Sequence, residues 1–401
     1  MAVALACCLW LSTGAVAGPV AKNPCVGTVE RPADGVTVLS VQGYNESGKQ
    51  PAMLVGVGPT GEILWVHHNA ERFGAVWSYD VDPMANGNVF VTAAVRGGKT
   101  VVYEFDPRTQ EAVRSVEFDI ADTHDADLID GGSEILVANM RNYNETVGEN
   151  DARIFVYNRT RDEIVWQWQF HEQTDFEKER GADYTKAWTH VNDLDEIAPG
   201  RYLVSPRNFD QALLVNRSTK EIEMRLGSDD YDVLNRQHNP DYLESRNGTP
   251  RFWSPTATTT GSWSTPRRAR IGVKRGRSEQ TLDWPRDADR LPSGNTLVTD
   301  TKNERVAEVI PEGTLVWEFY APWLPYDAAR LTHVEESAGP TMRDENATGL
   351  HEITDSAGLH ADDGDLAACH ATLREARGLT DARRAFYGEE TEDAGARNST
   401  G

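Results

Sequence analysis

Apolar residues in this chain fall in short runs of four to six, and polar stretches that contain glycine separate one run from the next. Segments such as VFVTAAV from Val89 and TLVTD from Thr296 are continuous or alternate with a period of two. An amphipathic helix would instead repeat its apolar positions about every 3.6 residues. The pattern therefore predicts short β-strands joined by turns, and an all-β protein.

The runs belong to a longer internal repeat. Three segments align well: YDVDPMANGNVFVTAAV from Tyr79, HDADLIDGGSEILVANM from His124 and RDADRLPSGNTLVTD from Arg286. Each has Asp-x-Asp, a turn with glycine and a strand rich in Val and Leu, and further strands follow. Two looser copies begin at His190 and His238, so the first positions are 45, 66, 48 and 48 residues apart.

A strand pair from Leu54 brings the number of units to six, each 40 to 50 residues long. Polar inserts at 142–151 and 173–186 account for the one longer spacing. A repeat of this length is typical of a β-propeller, because one blade cannot bury both faces of its sheet and blades stack around an axis. We expect a six-bladed β-propeller over residues 23–330; the alternative is a protein of two β-sandwich domains.

The repeat also predicts a site. Tyr79, His124, His190, His238 and Arg286 share one register, just before the first strand of each unit. First strands line the central channel of a propeller, so three histidines and one arginine should converge at one mouth, with Arg286 binding substrate. Each histidine alone could be a packed or solvated side chain. Three positions later every copy has an aspartate, for which we expect a structural role in bonding backbone: Asp82, Asp127, Asp193, Asp241 and Asp289.

The charge of the chain narrows the choice of environment and partners. Asp and Glu number 63 against 40 Lys and Arg, the net charge is −23, and only 8 of the basic residues are Lys. High acid with low Lys is typical of proteins that work in strong salt, where screening relieves self-repulsion. The alternative is an ordinary acidic protein of low-salt habitat. Binding of nucleic acid is not expected at this charge.

Residues 1–17 form an apolar segment that ends in Ala15-Val16-Ala17, which is similar to a signal-peptidase site. Seven Asn-x-Ser/Thr sequons occur, at Asn45, Asn144, Asn158, Asn216, Asn247, Asn346 and Asn398. Both features predict an exported glycoprotein, extracellular or at the cell surface, and leave membrane or surface attachment open. Outside the leader, Cys25 and Cys369 can form at most one pair. Residues 331–401 are expected to form an acidic, disordered tail.

One stretch contradicts the rest of the composition. Residues Arg251–Ser278 hold seven Lys or Arg and no acid, and they interrupt the fifth unit of the repeat. Codons read two bases later can encode a segment similar to LVTDTKNERVAEV from Leu297. We interpret the stretch as a local frameshift that damages the fifth blade and could leave the product inactive. The alternative is a genuine basic insert that binds an acidic partner.

The motifs DTHDADLIDGG, WTHVNDLDEIAPGRYLVSPRNFDQ, QHNPDYLE and WPRDADRLPSGNTLVTD resemble the arylsulfotransferase family in its haloarchaeal branch. The resemblance implies transfer of a sulfuryl group from a phenolic sulfate to a phenol, with no nucleotide donor, cofactor or metal. It implies that His238 takes the group covalently. It also implies that His124, His190, Asn192 and Arg207 support the reaction.

These residue types suit the chemistry. Imidazolium, guanidinium and amide donors stabilise negative oxygens on sulfur, and a neutral imidazole is a nucleophile when an acceptor holds its other nitrogen. We expect His190, Asn192 and Arg207 to bind sulfuryl oxygens, and His124 or His190, with a pKa near 6.5, to exchange protons with the phenols. The alternative is a non-catalytic surface propeller that binds sulfated or phenolic ligands or a protein. Sulfation of His238 would distinguish the two.

Overall fold

The computed structural model describes residues 23–45, 47–228, 234–256, 259–263, 282–334, 337–348, 351–357 and 364–387. Within these ranges the chain is an all-β propeller, in which antiparallel sheets follow one another around a channel. Five sheets have the four or more strands of a complete blade. We number four of them 1 to 4 along the chain and call the fifth the final blade.

The strands are given for each blade from the channel outward. Blade 1 consists of Pro325–Arg330, Thr37–Val41, Met53–Val57 and Ile63–His67. Blade 2 consists of Ala75–Pro83, Val89–Val95, Lys99–Asp106 and Glu111–Phe118. Blade 3 consists of Ala126–Ile129, Glu134–Asn139, Arg153–Asn158 and Glu163–Gln169. Blade 4 consists of Val191–Ala198, Arg201–Pro206, Gln211–Asn216 and Ile222–Gly227. The final blade consists of Pro285–Arg290, Thr296–Asp300, Arg305–Val309 and Leu315–Tyr320.

Shorter elements lie at the blade edges and in the connections. Two small hairpins pair Tyr44–Asn45 with Gly48–Lys49 and Tyr143–Asn144 with Glu149–Asn150. A one-turn α-helix spans Asn69–Phe73. Single 3-10 turns occupy Asp130–Gly132, Phe170–Glu172, Arg207–Phe209 and Thr301–Asn303.

The prediction of six blades, the fifth of them damaged, holds only in part, because the described part of the chain forms five complete blades. Between blade 4 and the final blade lies a sheet of three strands, Asp241–Glu244, Pro250–Thr256 and Thr259–Trp263, which we call the short sheet. Residues 251–256 and 259–263 of the basic stretch form paired strands, with Tyr242 opposite Phe252. Residues 257–258 and 264–281 of that stretch lie outside the described residues.

The two ends of the chain close the ring. The inner strand of blade 1, Pro325–Arg330, comes from the C-terminal part of the chain and pairs with Thr37–Val41. Near the N-terminus, Val26–Val29 adds a fifth strand to the outer edge of the final blade, against Leu315–Tyr320. Each end therefore completes a blade that the other end began, and the ring cannot open without breaking a sheet.

Apolar side chains fill the spaces between blades, because both faces of each blade lie against a neighbour. Large aromatic residues lie at the centre of this core, among them Trp65, Trp168 and Trp317, all nearly fully buried. Gly56 illustrates the tight packing: a Cβ at this position would lie 2.1 Å from the ring of Trp65. The core holds the inner strands at fixed positions around the channel, and these strands carry the candidate site.

The structure differs from the expected disordered tail beyond residue 330. Two helices, Gly364–Glu375 and Asp381–Tyr387, and the strand Gly378–Leu379 follow, and this strand pairs with the outer edge of blade 1. A disulfide joins Cys25 to Cys369, so helix Gly364–Glu375 is tied to the N-terminal strand region. Among the described residues, no helix is both long and apolar enough to cross a membrane.

Candidate functional site

The site lies where the inner strands begin, at one mouth of the channel. Six side chains occupy the same register, and we call them the mouth ring: Tyr79, His124, His190, His238, Arg286 and Tyr326. Ring centroids are 4.2 Å apart for Tyr79 and His124, and 4.9 Å apart for His124 and His190. The structure thus brings together all five side chains that the sequence repeat placed in one register.

Sequence reasoning missed the sixth member, Tyr326. The signal was present, because PYDAARL from Pro325 aligns with PRDADRL from Pro285. The tyrosine lies near the centre of the ring: its hydroxyl is 3.1 Å from Nδ1 of His124, and its centroid is 6.5 Å from that of His238. Burial raises the pKa of Tyr326 well above 10.0, so the hydroxyl remains protonated and shares a hydrogen bond with His124.

A repeated backbone conformation directs these side chains. Two residues before the mouth ring, the backbone has a positive φ in four of the six repeats: Asp122, Arg236, Trp284 and Leu324. Residues other than glycine seldom adopt this left-handed conformation, so the surrounding packing must maintain it. His190 itself has a φ of 46°, which places it in the same region. The turns that precede the inner strands therefore fix where the ring side chains point.

His238 is held in one tautomer. It is 2% exposed, and its Nδ1 lies 3.1 Å from the carbonyl oxygen of Arg236. Burial lowers the pKa of His238 well below 6.5, and the charges of Arg207 and Arg286 lower it further. A neutral imidazole must donate from Nδ1 to reach a carbonyl oxygen, which places the lone pair on Nε2.

His124 is held from both sides. Its Nε2 lies 3.7 Å from Asp122, which also accepts a hydrogen bond from the hydroxyl of Tyr79 and pairs with Arg141. Although burial acts in the opposite direction, contact with His124 and Tyr79 lowers the pKa of Asp122 to about 2. Burial lowers the pKa of His124, an effect that Asp122 only partly offsets.

His190 is also neutral at pH 7. Burial lowers its pKa well below 6.5, and the neighbouring His124 and Arg207 add to the effect. We expected the supporting histidines to titrate near 6.5 and to supply positive charge. In the structure the permanent positive charge at the mouth comes from arginines.

Two arginines supply this charge. Arg286 is 6% exposed, its guanidinium lies 4.3 Å from the ring centroid of Trp284 and 4.8 Å from that of Tyr326, and Nη1 donates to Gln42 at 2.6 Å. Arg207 begins the 3-10 turn after the second strand of blade 4, and its backbone amide donates to the carbonyl of His190. Burial lowers the pKa of Arg207 to about 10, so the side chain stays charged at neutral pH.

Asn192 lies two residues below the ring, where its amide nitrogen donates to the carbonyl of Gln237 at 2.9 Å. This bond joins the inner strand of blade 4 to the segment that carries His238. At least one of the two N–H groups of Asn192 is therefore engaged in positioning His238. The expected contact of Asn192 with sulfuryl oxygens is an untested prediction that rests on its other N–H.

Below the mouth ring the channel carries a second group of side chains, which we call the carboxylate layer. Its ten members are Asp80, Asp82, Asp125, Asp127, Asp193, Asp195, Asp241, Asp287, Asp289 and Asp327. Burial, and after it the charges of neighbouring aspartates, raises the pKa of Asp80 and Asp289 well above 3.8 and that of Asp195 to about 7. Two members bond backbone: Asp327 accepts from the amide of Val81 at 2.8 Å, and Asp125 accepts from Leu194, although neither holds the repeat position for which this role was expected. These bonds satisfy amides on the channel edge of the next blade.

A further group of possible metal ligands lies away from the channel. Glu149, Asp151 and His171 bring one ligand atom each within 4.8 Å of one another, and the search of the described residues found this group alone. His171 is on the 3-10 turn after blade 3, and Glu149 is in the hairpin within that blade. Neither the repeat nor the family resemblance had singled out these residues.

Similarity to known proteins is confined to distant solved structures. No family model and no curated protein sequence matches the chain. A crystal structure of a protein of unknown function from Bacteroides caccae is similar at 11% identity and a TM-score of 0.49, over 74% of this chain and 98% of that one. A streptogramin B lyase structure is similar at 12% identity and a TM-score of 0.38, over 61% of this chain and 69% of that one. At these identities no argument about activity follows.

Proposed function

We propose that the protein transfers a sulfuryl group from a phenolic sulfate to a phenol through a sulfated His238. The observation that carries this proposal is the state of His238: a neutral imidazole with Nδ1 at a backbone carbonyl and two arginines nearby. Such an imidazole is a competent nucleophile at Nε2. The motif resemblance to arylsulfotransferases names the same residue on independent grounds.

In the first half of the reaction, Nε2 of His238 attacks sulfur and the bond from sulfur to the phenolic oxygen breaks. The phenolate leaves with the electron pair, and Arg207 and Arg286 stabilise the negative charge on it and on the sulfuryl oxygens. Guanidinium groups suit this task because they remain charged even when burial lowers their pKa.

In the second half, the acceptor phenol attacks the sulfo-imidazole and must lose its proton. A neutral His124 or His190 can take that proton, and the low pKa of both keeps them ready to accept one at neutral pH. The proton returns to solvent or to a departing phenolate, and His238 is regenerated. The reaction uses no metal or other cofactor.

The proposal includes a sixth blade. The short sheet occupies the place between blade 4 and the final blade, and its inner strand Asp241–Glu244 begins directly after His238. We propose that a repaired reading frame over 251–278 would give this sheet its fourth strand and complete a six-bladed ring. The backbone that supports His238 would then be that of a full blade.

We also propose that the protein works outside the cytoplasm in strong salt. The disulfide between Cys25 and Cys369 suits an oxidising compartment. The sequon residues Asn144, Asn247 and Asn346 are exposed and so are accessible to glycosylation. Aryl sulfates are charged and cross membranes poorly, which suits an enzyme that meets them at the surface.

The test is transfer from nitrophenyl sulfate to phenol in molar salt, using the chain as written and a frame-repaired chain. We expect nitrophenolate release and a sulfated peptide containing His238 in mass spectra. His238→Ala should abolish both, while His333→Ala, on the opposite side of blade 1, should retain them. A folded, frame-repaired protein that neither releases nitrophenolate nor carries a sulfated histidine would refute the proposal.

Binding without reaction is the second candidate function. The charge of Arg207 and Arg286 supports it, because these guanidinium groups would bind a sulfate whether or not His238 reacts. A small aryl sulfate or phenol would then rest against the ring and the two arginines. Saturable binding of nitrophenyl sulfate, with no sulfation of His238 under the same conditions, is the result expected for this candidate.

A further inference from the structure

The carboxylate layer takes no part in the proposed transfer reaction, so its presence needs another explanation. Its ten aspartates project from the inner strands directly below the cationic mouth ring, and most are less than a tenth exposed. Asp80, Asp125, Asp287 and Asp327 share the position that follows the ring. Mutual repulsion among them is large, because neighbouring carboxylates act on each other across the channel.

Hydrogen bonds satisfy only part of the layer. Within the described chain, one oxygen of Asp193 is buried and has no hydrogen-bond partner, whereas the carboxyl of Asp80 bonds that of Asp125 and the carboxyl of Asp287 bonds that of Asp327. A buried carboxylate oxygen without a partner is unfavourable, because it has lost its hydrogen bonds to water. A bound proton or a bound cation could each relieve this.

Two side-chain amides indicate that a bound cation, rather than a bound proton, satisfies the buried oxygens. Asn239 occupies the position equivalent to Asp80 and Asp287, and its Oδ1 is buried without a hydrogen-bond partner in the described structure. The same holds for Oδ1 of Asn192, which is 1% exposed. An amide oxygen does not take up a proton at neutral pH, but it is a good ligand for a hard cation. These amides make the layer an all-oxygen ligand set rather than a row of acids alone.

We propose that the carboxylate layer binds alkali-metal cations, sodium or potassium, in the channel below the mouth ring. Carboxylate and amide oxygens are the ligands of hard cations, and the layer contains no sulfur or imidazole that would favour a softer metal. No three of the layer's acidic side chains bring one oxygen each within 4.8 Å of one another. A cation in the layer would keep part of its water shell and bind weakly. Molar salt would therefore be needed to fill the site.

A cation site in the channel would add a specific effect of the cation to the general effect of salt on stability. General screening of the net charge of −23 depends on ionic strength and not on which cation supplies it. Occupancy of the channel depends on a cation small enough to fit among the aspartates. Bound cations stabilise the folded state because the unfolded chain has no such site.

Thermal unfolding at pH 8 separates the two components. We expect a higher midpoint in sodium or potassium chloride than in tetramethylammonium chloride of equal ionic strength. The double variant Asp193→Ala, Asp287→Ala, which removes two ligand side chains, should lose most of that difference. The matched control Glu111→Gln, exposed on the outer strand of blade 2, should keep it. Equal midpoints in the small and large cation, or a difference that survives in the double variant, would overturn the proposal.

A direct measurement covers the case in which the double variant does not fold. Crystals of the unmodified protein grown in rubidium chloride should show an anomalous peak within the carboxylate layer. The peak should lie near Asp241, Asp287 and Asn239, on the short sheet and the neighbouring final blade. Anomalous maps at molar rubidium without any peak in the channel would overturn the proposal, whatever the variants do.

Discussion

At the scale of single residues, burial and charge set the chemistry of the mouth. His238 and His124 hold equivalent positions in the repeat, yet their partners differ: His238 has a backbone carbonyl, and His124 has Asp122 and Tyr326. Burial makes both of them and His190 neutral at pH 7. Nucleophile and proton acceptors are therefore available together, and arginines supply the positive charge.

Replacing Arg207 by Gln should raise the pKa of His238, because Arg207 lowers it by charge repulsion of the imidazolium. His238 reacts only when neutral, so the rate of its sulfation should fall as the pH drops through its pKa. In the parent protein the pH at which the rate falls lies below 6.5, and in the variant this pH should be higher. The measurement is the nitrophenolate burst against pH, with the surface variant Arg72→Gln as control. A rate that falls at the same pH in Arg207→Gln as in the parent would contradict the electrostatic argument.

Replacing Asp122 by Asn should destabilise the fold, because Asp122 accepts a hydrogen bond from Tyr79, pairs with Arg141 and lies beside His124. Loss of a buried charged partner is expected to lower the free energy of unfolding by about 1–3 kcal/mol. The exposed Asp119, which pairs only with Lys99 at 3.4 Å among the described residues, is the matched control and should change stability by less than about 0.5 kcal/mol. Urea unfolding of both variants in the same salt is the measurement. Equal effects would show that Asp122 is no more than a surface charge.

At the scale of elements, the inner strand of each blade and the turn before it carry the side chains of the site. Each turn presents one side chain to the mouth, and the strand then presents aspartates to the channel. The short sheet has this unit but lacks a fourth strand within the described residues. A blade without its outer strand leaves an edge that can pair with another chain.

Replacing residues 251–278 by the sequence of the shifted frame should raise the midpoint of thermal unfolding. The reason is that a fourth strand would cover the edge of the short sheet and bury more apolar surface against the final blade. A Gly/Ser segment of the same length is the control and should lower the midpoint. If the repaired chain is less stable than the chain as written, the strands at 251–256 and 259–263 are native features and the frameshift interpretation fails.

At the scale of the whole molecule, the ends of the chain hold the ring together. Strands Val26–Val29 and Pro325–Arg330 close the first and final blades, and the disulfide Cys25–Cys369 links them to a helix that follows the propeller. The cystine lies in the apolar core beside Leu366 and Leu373. The C-terminal helix is thus part of the closure.

Reducing this disulfide should lower the free energy of unfolding by about 2–5 kcal/mol, as is typical when a long loop loses its cross-link. Urea unfolding with and without reductant measures the effect. The double variant Cys25→Ala, Cys369→Ala is the control, because its stability should be low and insensitive to reductant. A parent protein that is equally stable in both conditions would show that strand pairing alone closes the ring.

Much of this structure could be predicted from the local sequence pattern. The repeat of Asp-x-Asp, glycine turn and strand is a local signal, so the propeller architecture and the convergence of His124, His190, His238 and Arg286 followed from register alone. The number of complete blades and the order beyond residue 330 did not follow. Both depend on pairing between distant segments, which local composition does not encode.

The sequence by itself determined which side chains reach the mouth, because in a propeller the position of a residue in its repeat sets its height in the channel. Only the tertiary structure decided their chemical state. The contact of Tyr326 with His124 joins strands 202 residues apart, and the lowered pKa of His238 comes from burial among blades that meet only in the closed ring. Solvation and charge depend on everything that surrounds a group, and those surroundings exist only once the ring has closed.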